Sequence, residues 1–319
     1  MGKRILIMGA GAVGAYVGGY MARRGEDVIF VDPWAEHVAA INKDGLTLSG
    51  LTDAECFNTP ARAITLTDVQ ALKRERLIDI AFICVKSYDT AWATMLVKDY
   101  LSPTGFCVSL QNCINEETIA NIVGWGRTTG CIAAKIAVEL IGPGKIRRGV
   151  PLGGTKHTVF RAGEVHGRIT PRIKEIEKLL SAVDSAKVTD NLWGERWSKL
   201  VANAMRNGVC AATGLGANAC DKETITRRLT IRLAGEAVKI GKALGYQWKL
   251  SINLSLMIGW QQWMAILVWL KRWRRSWKKV RLGAVMNRDH QWHRILPKSD
   301  VLKSMRLMVL LSKKHRKLD

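Results

Sequence analysis

In the stretch ERWSKLVANAMRNGVCAATG (195–214), Lys199, Asn203 and Asn207 recur every four residues, a spacing that sets all three on one face of a helix. A lysine so placed in a cleft can donate a hydrogen bond, and then a proton, to a carbonyl oxygen as its carbon is reduced. Carboxamides both donate and accept, which suits holding a hydroxyl or a carboxylate. The competing reading is a solvated Lys/Asn face with no chemistry.

A second constellation lies at the start of the chain. The apolar run Arg4 to Met8 leads directly into Gly9-Ala10-Gly11-Ala12-Val13-Gly14 and a helix-like stretch through Arg24. In a strand, turn and helix of this kind the first glycine permits the tight turn and the second lets the backbone approach a pyrophosphate. The third lets helix and strand pack closely, and the phosphates sit on the unpaired N–H groups of the helix N-terminus. A second apolar strand, Val28 to Val31, ends in Asp32, at the spacing of a ribose-binding acid. A carboxylate there accepts from a ribose 2′-hydroxyl and repels a 2′-phosphate, so Asp32 argues for NAD over NADP. No arginine adjoins it in Asp32-Pro33-Trp34-Ala35, which leaves Lys43 or a loop residue to reach in.

Positioning these groups requires an α/β framework. Further apolar strands are predicted at Ile78 to Val85 and Phe106 to Leu110, with a helix from about Thr90 to Tyr100 between them. This order predicts a Rossmann-like, doubly wound, mostly parallel sheet followed by an all-α second domain. Lys86 and Gln111-Asn112 follow the carboxyl ends of the two strands, where open α/β sheets bind ligands. The 319 residues suffice for two domains. The expected division is a dinucleotide-binding domain over 1–184, the start of a helical substrate and dimerisation domain over 185–247, and an aberrant tail over 248–319. Seven cysteines without a CxxC pair predict reduced thiols, no metal site and a cytoplasmic location.

The segments GAGAVGAYVGGYMARRGEDV, CVKSYDT, LQNCINEE, GPGKIRRG and ERWSKLVANAMRNGVCAATG, taken together, resemble successive signatures of the 2-dehydropantoate 2-reductase (ketopantoate reductase) family over about residues 1–247. The resemblance implies NAD(P)H-dependent reduction of a branched 2-keto acid, with Lys199 as general acid and Asn203 and Asn207 on the substrate's hydroxyl and carboxylate. It makes Lys86 a cofactor-side lysine and Asn112 the asparagine that approaches both the nicotinamide ribose and the substrate. The family suggests NADPH where Asp32 suggests NADH. The implied partner is a small 2-keto acid, with no nucleic acid and no membrane, and a homodimer is left open. The family's Gln-Asn-Gly is Gln111-Asn112-Cys113 here, so a side chain stands where glycine's freedom is usual. With no histidine motif beside it, Cys113 reads as a small buried thiol rather than a nucleophile.

The formal charge of +22 is unevenly spread, because residues 248–319 hold 17 Lys/Arg against three acids, with no glutamate and seven of the 12 tryptophans. Ile252 to Leu270 followed by Lys271-Arg272-Trp273-Arg274-Arg275 has the outward form of a membrane helix with a basic flank. A different origin fits better. Read one base out of register, the tail permits P-S-M-A-S-D and then G-R-T-E-I-D-A-x-N-G, which match the family's two C-terminal blocks in order. The expectation is a frame change near codons 247–249, with loss of the substrate-side glutamate and serine. Alternative readings are a catalytically impaired dinucleotide binder or pseudogene product, and a membrane-anchored protein with a genuine cationic tail.

Overall fold

The computed structural model describes residues 2–247. Its first elements are β1 (Arg4–Met8), α1 (Ala12–Arg23), β2 (Asp27–Val31), α2 (Ala35–Asp44), β3 (Leu46–Ser49), β4 (Phe57–Thr59) and β5 (Arg62–Ile64). Next come β6 (Ile78–Ile83), α3 (Thr90–Lys98), β7 (Leu101–Ser109), α4 (Glu116–Val123), β8 (Thr128–Ala133), β9 (Val138–Gly142), β10 (Lys145–Arg148), β11 (Phe160–Glu164), α5 (Pro171–Ser181) and β12 (Ala186–Thr189). Three helices follow, α6 (Leu192–Thr213), α7 (Ala217–Lys222) and α8 (Thr224–Ala243). The described chain divides into two compact units, residues up to 200 joined by 246–247, and residues 201–245.

In the first unit eight strands form one sheet in the order β12-β11-β8-β7-β6-β1-β2-β5. From β5 to β8 every pairing is parallel, and β11 joins β8 antiparallel. Strand order reverses at β1, which places the ligand crevice outside the carboxyl ends of β1 and β6. The apolar runs are continuous because both faces are covered. Ile5 and Ile7 of β1 enter one buried cluster with Tyr16 and Val17 of α1, while Leu6 and Met8 enter the other with Ala93 and Val97 of α3.

A smaller sheet, β4-β3-β10-β9, uses the GPGKIRRG segment as its β9–β10 hairpin. Arg148 at its end is fully buried and paired with Asp184 at 2.6 Å. Asp184 also accepts from the backbone N–H groups of Gly153 and Ser185, and these bonds, with the Arg148 partner, hold its carboxyl below the usual range against the opposing effect of burial.

The sheet continues past the boundary expected at residue 184, because β12 pairs in parallel with β11, Ala186 opposite Phe160. The second unit is helical, built from the later turns of α6 with α7 and α8, and within it Arg206 pairs with Asp221 at 2.5 Å. None of the helices among the described residues is long and apolar enough to cross a membrane, and the segment 252–270 and the proposed frame change lie outside the described residues.

Candidate active site

The glycine turn joins β1 to α1 as its sequence requires. Gly9 has φ +95°, and a Cβ there would lie 3.0 Å from the Val85 backbone nitrogen. A Cβ on Gly14 would fall 2.1 Å from the carbonyl oxygen of Gly9. Gly11 is different, since nothing lies within 4 Å of where its Cβ would be. It forms the N-cap of α1, and no side chain caps the helix. A helix start of this kind, with Ala12 and Val13 in its first turn, could hold a pyrophosphate.

Asp32 follows β2 and is drawn into the same turn. One carboxylate oxygen accepts from the Ala10 N–H at 2.8 Å and the other from the Trp34 N–H at 3.0 Å. A carboxylate has about four lone-pair sites, so two remain for a ribose hydroxyl. A buried histidine that no motif announces fixes the other side of the turn. His37 Nδ1 accepts from the Gly144 N–H at 2.9 Å, which leaves the proton on Nε2 to donate to the Ala10 carbonyl, also at 2.9 Å. Ala10 is therefore held through both its N–H and its carbonyl.

The loops after β6 and β7 meet through Gln111. Its Nε2 donates to the Val85 carbonyl at 2.8 Å and to Thr90 Oγ1 at 2.9 Å, which ties the Lys86 loop to the Asn112 loop. Lys86 and Asn112 themselves are exposed. The Asn112 carbonyl accepts from Asn115 Nδ2 at 2.7 Å, and Ser87 donates its hydroxyl to Asn115 Oδ1. Cys113, where the resemblance places a glycine, adopts the left-handed conformation, with φ +69°. The expectation of a buried thiol is corrected here: Cys113 is exposed, because the connection between β7 and α4 runs over the surface. The buried thiols lie elsewhere, and burial pushes those of Cys107 and Cys131 up to about 12.

Lys199 sits in α6, half-buried. Its Nζ donates to the carbonyl of Ala133, the last residue of β8. Burial, reinforced by the neighbouring Arg196 charge, lowers its pKa to about 8. An ammonium with that value is a competent proton donor near neutral pH and gives up its proton more readily than a solvated lysine. Asn203 and Asn207 follow at successive turns of the same helix, the first half-buried and the second exposed. They belong to the second unit and Lys199 to the first.

The sequence reading missed Arg196 and Glu116. Both are buried, and they form an ion pair at 2.6 Å between α6 and α4. Their signal was present in the quoted motifs but was not usable, because pairing residues 80 positions apart needs the fold. Among the described residues no cluster of His, Cys, Asp and Glu could hold a metal ion.

Sheet order, the uncapped helix after a glycine turn, and the acid at the end of β2 together define a Rossmann-type dinucleotide-binding protein. More specifically, the chain belongs to the ketopantoate reductase PanE/ApbA family, whose profile matches residues 5–159 and whose C-terminal profile matches residues 191–268. That second match runs beyond the change of composition near Trp248. A 2-dehydropantoate 2-reductase from Pyrococcus horikoshii is 31% identical over 253 residues, which cover 78% of this chain and 76% of that protein. Among solved structures, a 2-dehydropantoate 2-reductase from Geobacter metallireducens superposes with a TM-score of 0.69 at 25% identity, covering 82% of this chain and 83% of that one. A PanE/ApbA family ketopantoate reductase from Ralstonia eutropha gives 0.66 at 26% identity, covering 79% and 78%.

Proposed function

We propose that this protein reduces a branched 2-keto acid of the 2-dehydropantoate type with a nicotinamide dinucleotide, Lys199 acting as general acid. The observation that carries this reading is the half-buried Lys199 amine bonded to the end of β8, with a pKa lowered to about 8. A bound reduced nicotinamide supplies the hydride for the carbonyl carbon. The chain's own residues do the rest. The N–H groups at the start of α1 hold the pyrophosphate, Asp32 holds the adenosine ribose, and Lys86 and Asn112 line the approach to the nicotinamide. Lys199 gives its proton to the carbonyl oxygen as negative charge develops there, which leaves a hydroxyl on the product and a neutral amine on the enzyme. Asn203 and Asn207 are the carboxamides for the substrate's hydroxyl and carboxylate. Asp32 favours NADH, since a 2′-phosphate would sit against its carboxylate.

The test is Lys199→Ala. Turnover should fall by about 10²–10⁴-fold with little change in the Kd for NADH, because the proton is needed only in the transition state. In the unsubstituted protein kcat should decline as pH rises through about 8, where Lys199 loses its proton. An undiminished kcat in the variant would remove Lys199 from the mechanism.

A second reading, an impaired cofactor binder, is favoured by the abrupt change of composition after residue 247. In this reading a frame change has removed the substrate-side glutamate and serine, and the chain binds NADH but turns over 2-keto acids poorly. Comparing it with a version whose frame is restored after Tyr246 decides the matter, because equal activity of the two rejects the frame change.

A further inference from the structure

One guanidinium gathers the elements of the catalytic side. Arg196 is essentially closed to solvent, as is Glu116. Its Nε donates to Glu116 Oε1 at 2.7 Å, and Nη2 lies 2.6 Å from the same oxygen. Nη2 also donates to the Ser109 carbonyl at 2.7 Å and to the Ser109 hydroxyl at 3.1 Å, and Nη1 donates to the Gln111 carbonyl. These partners lie at the end of β7, in the turn immediately before Asn112, and at the start of α4. Glu116 is wedged in turn against β8, where a Cβ on Gly130 would meet its carboxylate at 2.4 Å. Three residues along α6, Lys199 reaches the end of that same strand. Residues three apart on a helix are neighbours, so what fixes Arg196 fixes the phase at which Lys199 projects.

Resting on the reading of Lys199 as proton donor, we propose that Arg196, clamped by Glu116, is the positioning residue of the site. It locks the α6 turn that carries Lys199 to the β7 turn that carries Asn112. A planar fork with donors in fixed directions can join a carboxylate and two carbonyls at once, which a lysine cannot. The charge contributes as well. Within the first unit the groups facing the Lys199 amine are Arg196 from its own helix, Cys131 from β8 and Cys113 from the turn after β7, with Glu116 behind the guanidinium. After burial, the Arg196 charge is the main influence holding Lys199 below its ordinary value.

The experiment labels Lys199 competitively with acetic anhydride across neutral to alkaline pH in the full chain, reading the Lys199 peptide by mass spectrometry, so that no turnover is required. The midpoint should be about 8 in the unsubstituted protein. Arg196→Met should raise it by about one unit, since a nearby like charge is removed, and Glu116→Gln should lower it, since that charge loses its counter-ion. Arg196→Lys should keep the midpoint near 8 yet lower kcat about tenfold at nearly unchanged KM. Opposite shifts from two partners of one ion pair cannot arise from general loosening. NADH titration by fluorescence confirms folding, and Glu116→Gln, close to isosteric, carries the test should Arg196→Met fail that check. Midpoints that stay put, or that move in the same direction, overturn the proposal. Full activity of Lys199→Ala removes the proton-donor reading instead, whatever the midpoints do.

Discussion

After β1 the chain turns through Gly9 at φ +95°, and after β7 it turns through Cys113 at φ +69°. Both turns lie at the carboxyl edge of the parallel sheet, and both need a left-handed residue. Only one of them is crowded. A Cβ on Gly9 would press on Val85, and one on Gly14 would sit inside the Gly9 carbonyl, whereas Cys113 carries its side chain in an exposed position. Backbone conformation alone makes glycine a preference, at about 1–2 kcal/mol for most side chains. Close approach of helix, turn and neighbouring strand makes it a requirement. A side chain is therefore tolerated at position 113 of this chain and not at positions 9 and 14.

The most severe way to break that contrast is Gly14→Ala. A methyl group 2.1 Å from a backbone oxygen cannot be relieved by a rotamer change, so α1 must move off β1. We expect a loss of about 3 kcal/mol or more of stability and no measurable NADH binding. A melting temperature within about 2 °C of the parent would show that the close approach is dispensable.

A smaller effect is expected from Asp32→Asn. The carboxylate accepts from both Ala10 and Trp34, and a carboxamide has one accepting oxygen, so its NH2 must oppose one of these amides. Affinity for NADH should fall about tenfold, or about 1.4 kcal/mol, while NADPH affinity holds or improves as the repulsion of a 2′-phosphate is relieved. Fluorescence titration with each cofactor checks this, and equal losses for both would confine Asp32 to holding the turn.

The contrast also marks what was legible in the sequence. β1 and β6 could be read because burial on both faces makes them unbroken apolar runs, and the glycine turn because its steric demands leave few substitutes. β7 was read only from Phe106, although it begins at Leu101, since its first half carries Pro103 and the register with β6 shifts there. The strands of the smaller sheet are three to five residues long and carry no period to count. His37, which bridges Ala10 and Gly144, and Arg196, which bridges Ser109, Gln111 and Glu116, act across long sequence separations. Periodicity reports which face a residue takes, not which distant partner it meets there. Lys199 was legible as a helix-face lysine, while its lowered pKa comes from burial and from Arg196, neither of which the spacing discloses.

The smallest expected effect, and the sharpest measure of the difference between the two turns, comes from Cys113→Gly. Relief of a left-handed side chain should contribute about 1 kcal/mol, and the extra freedom that glycine brings to the unfolded chain offsets about 0.5–1 kcal/mol of it. The net should lie between zero and about 1 kcal/mol in favour of the variant, a rise in melting temperature of no more than about 4 °C. Cys113→Val provides the control in the other direction, because a β-branched residue at positive φ is a real outlier and should cost more than the cysteine does. NADH affinity should stay within about twofold for Cys113→Gly, since the bonds that shape the loop run through Gln111 and Asn115 and not through the Cys113 side chain. The Lys199 labelling midpoint is the finer readout. The Cys113 side chain exerts a weak electrostatic influence that raises the Lys199 pKa, so its removal should move the midpoint slightly downward if at all. A clear fall in melting temperature for Cys113→Gly would mean that the side chain makes a contact the turn depends on, and the distinction between a preferred and a required glycine would then fail at this position.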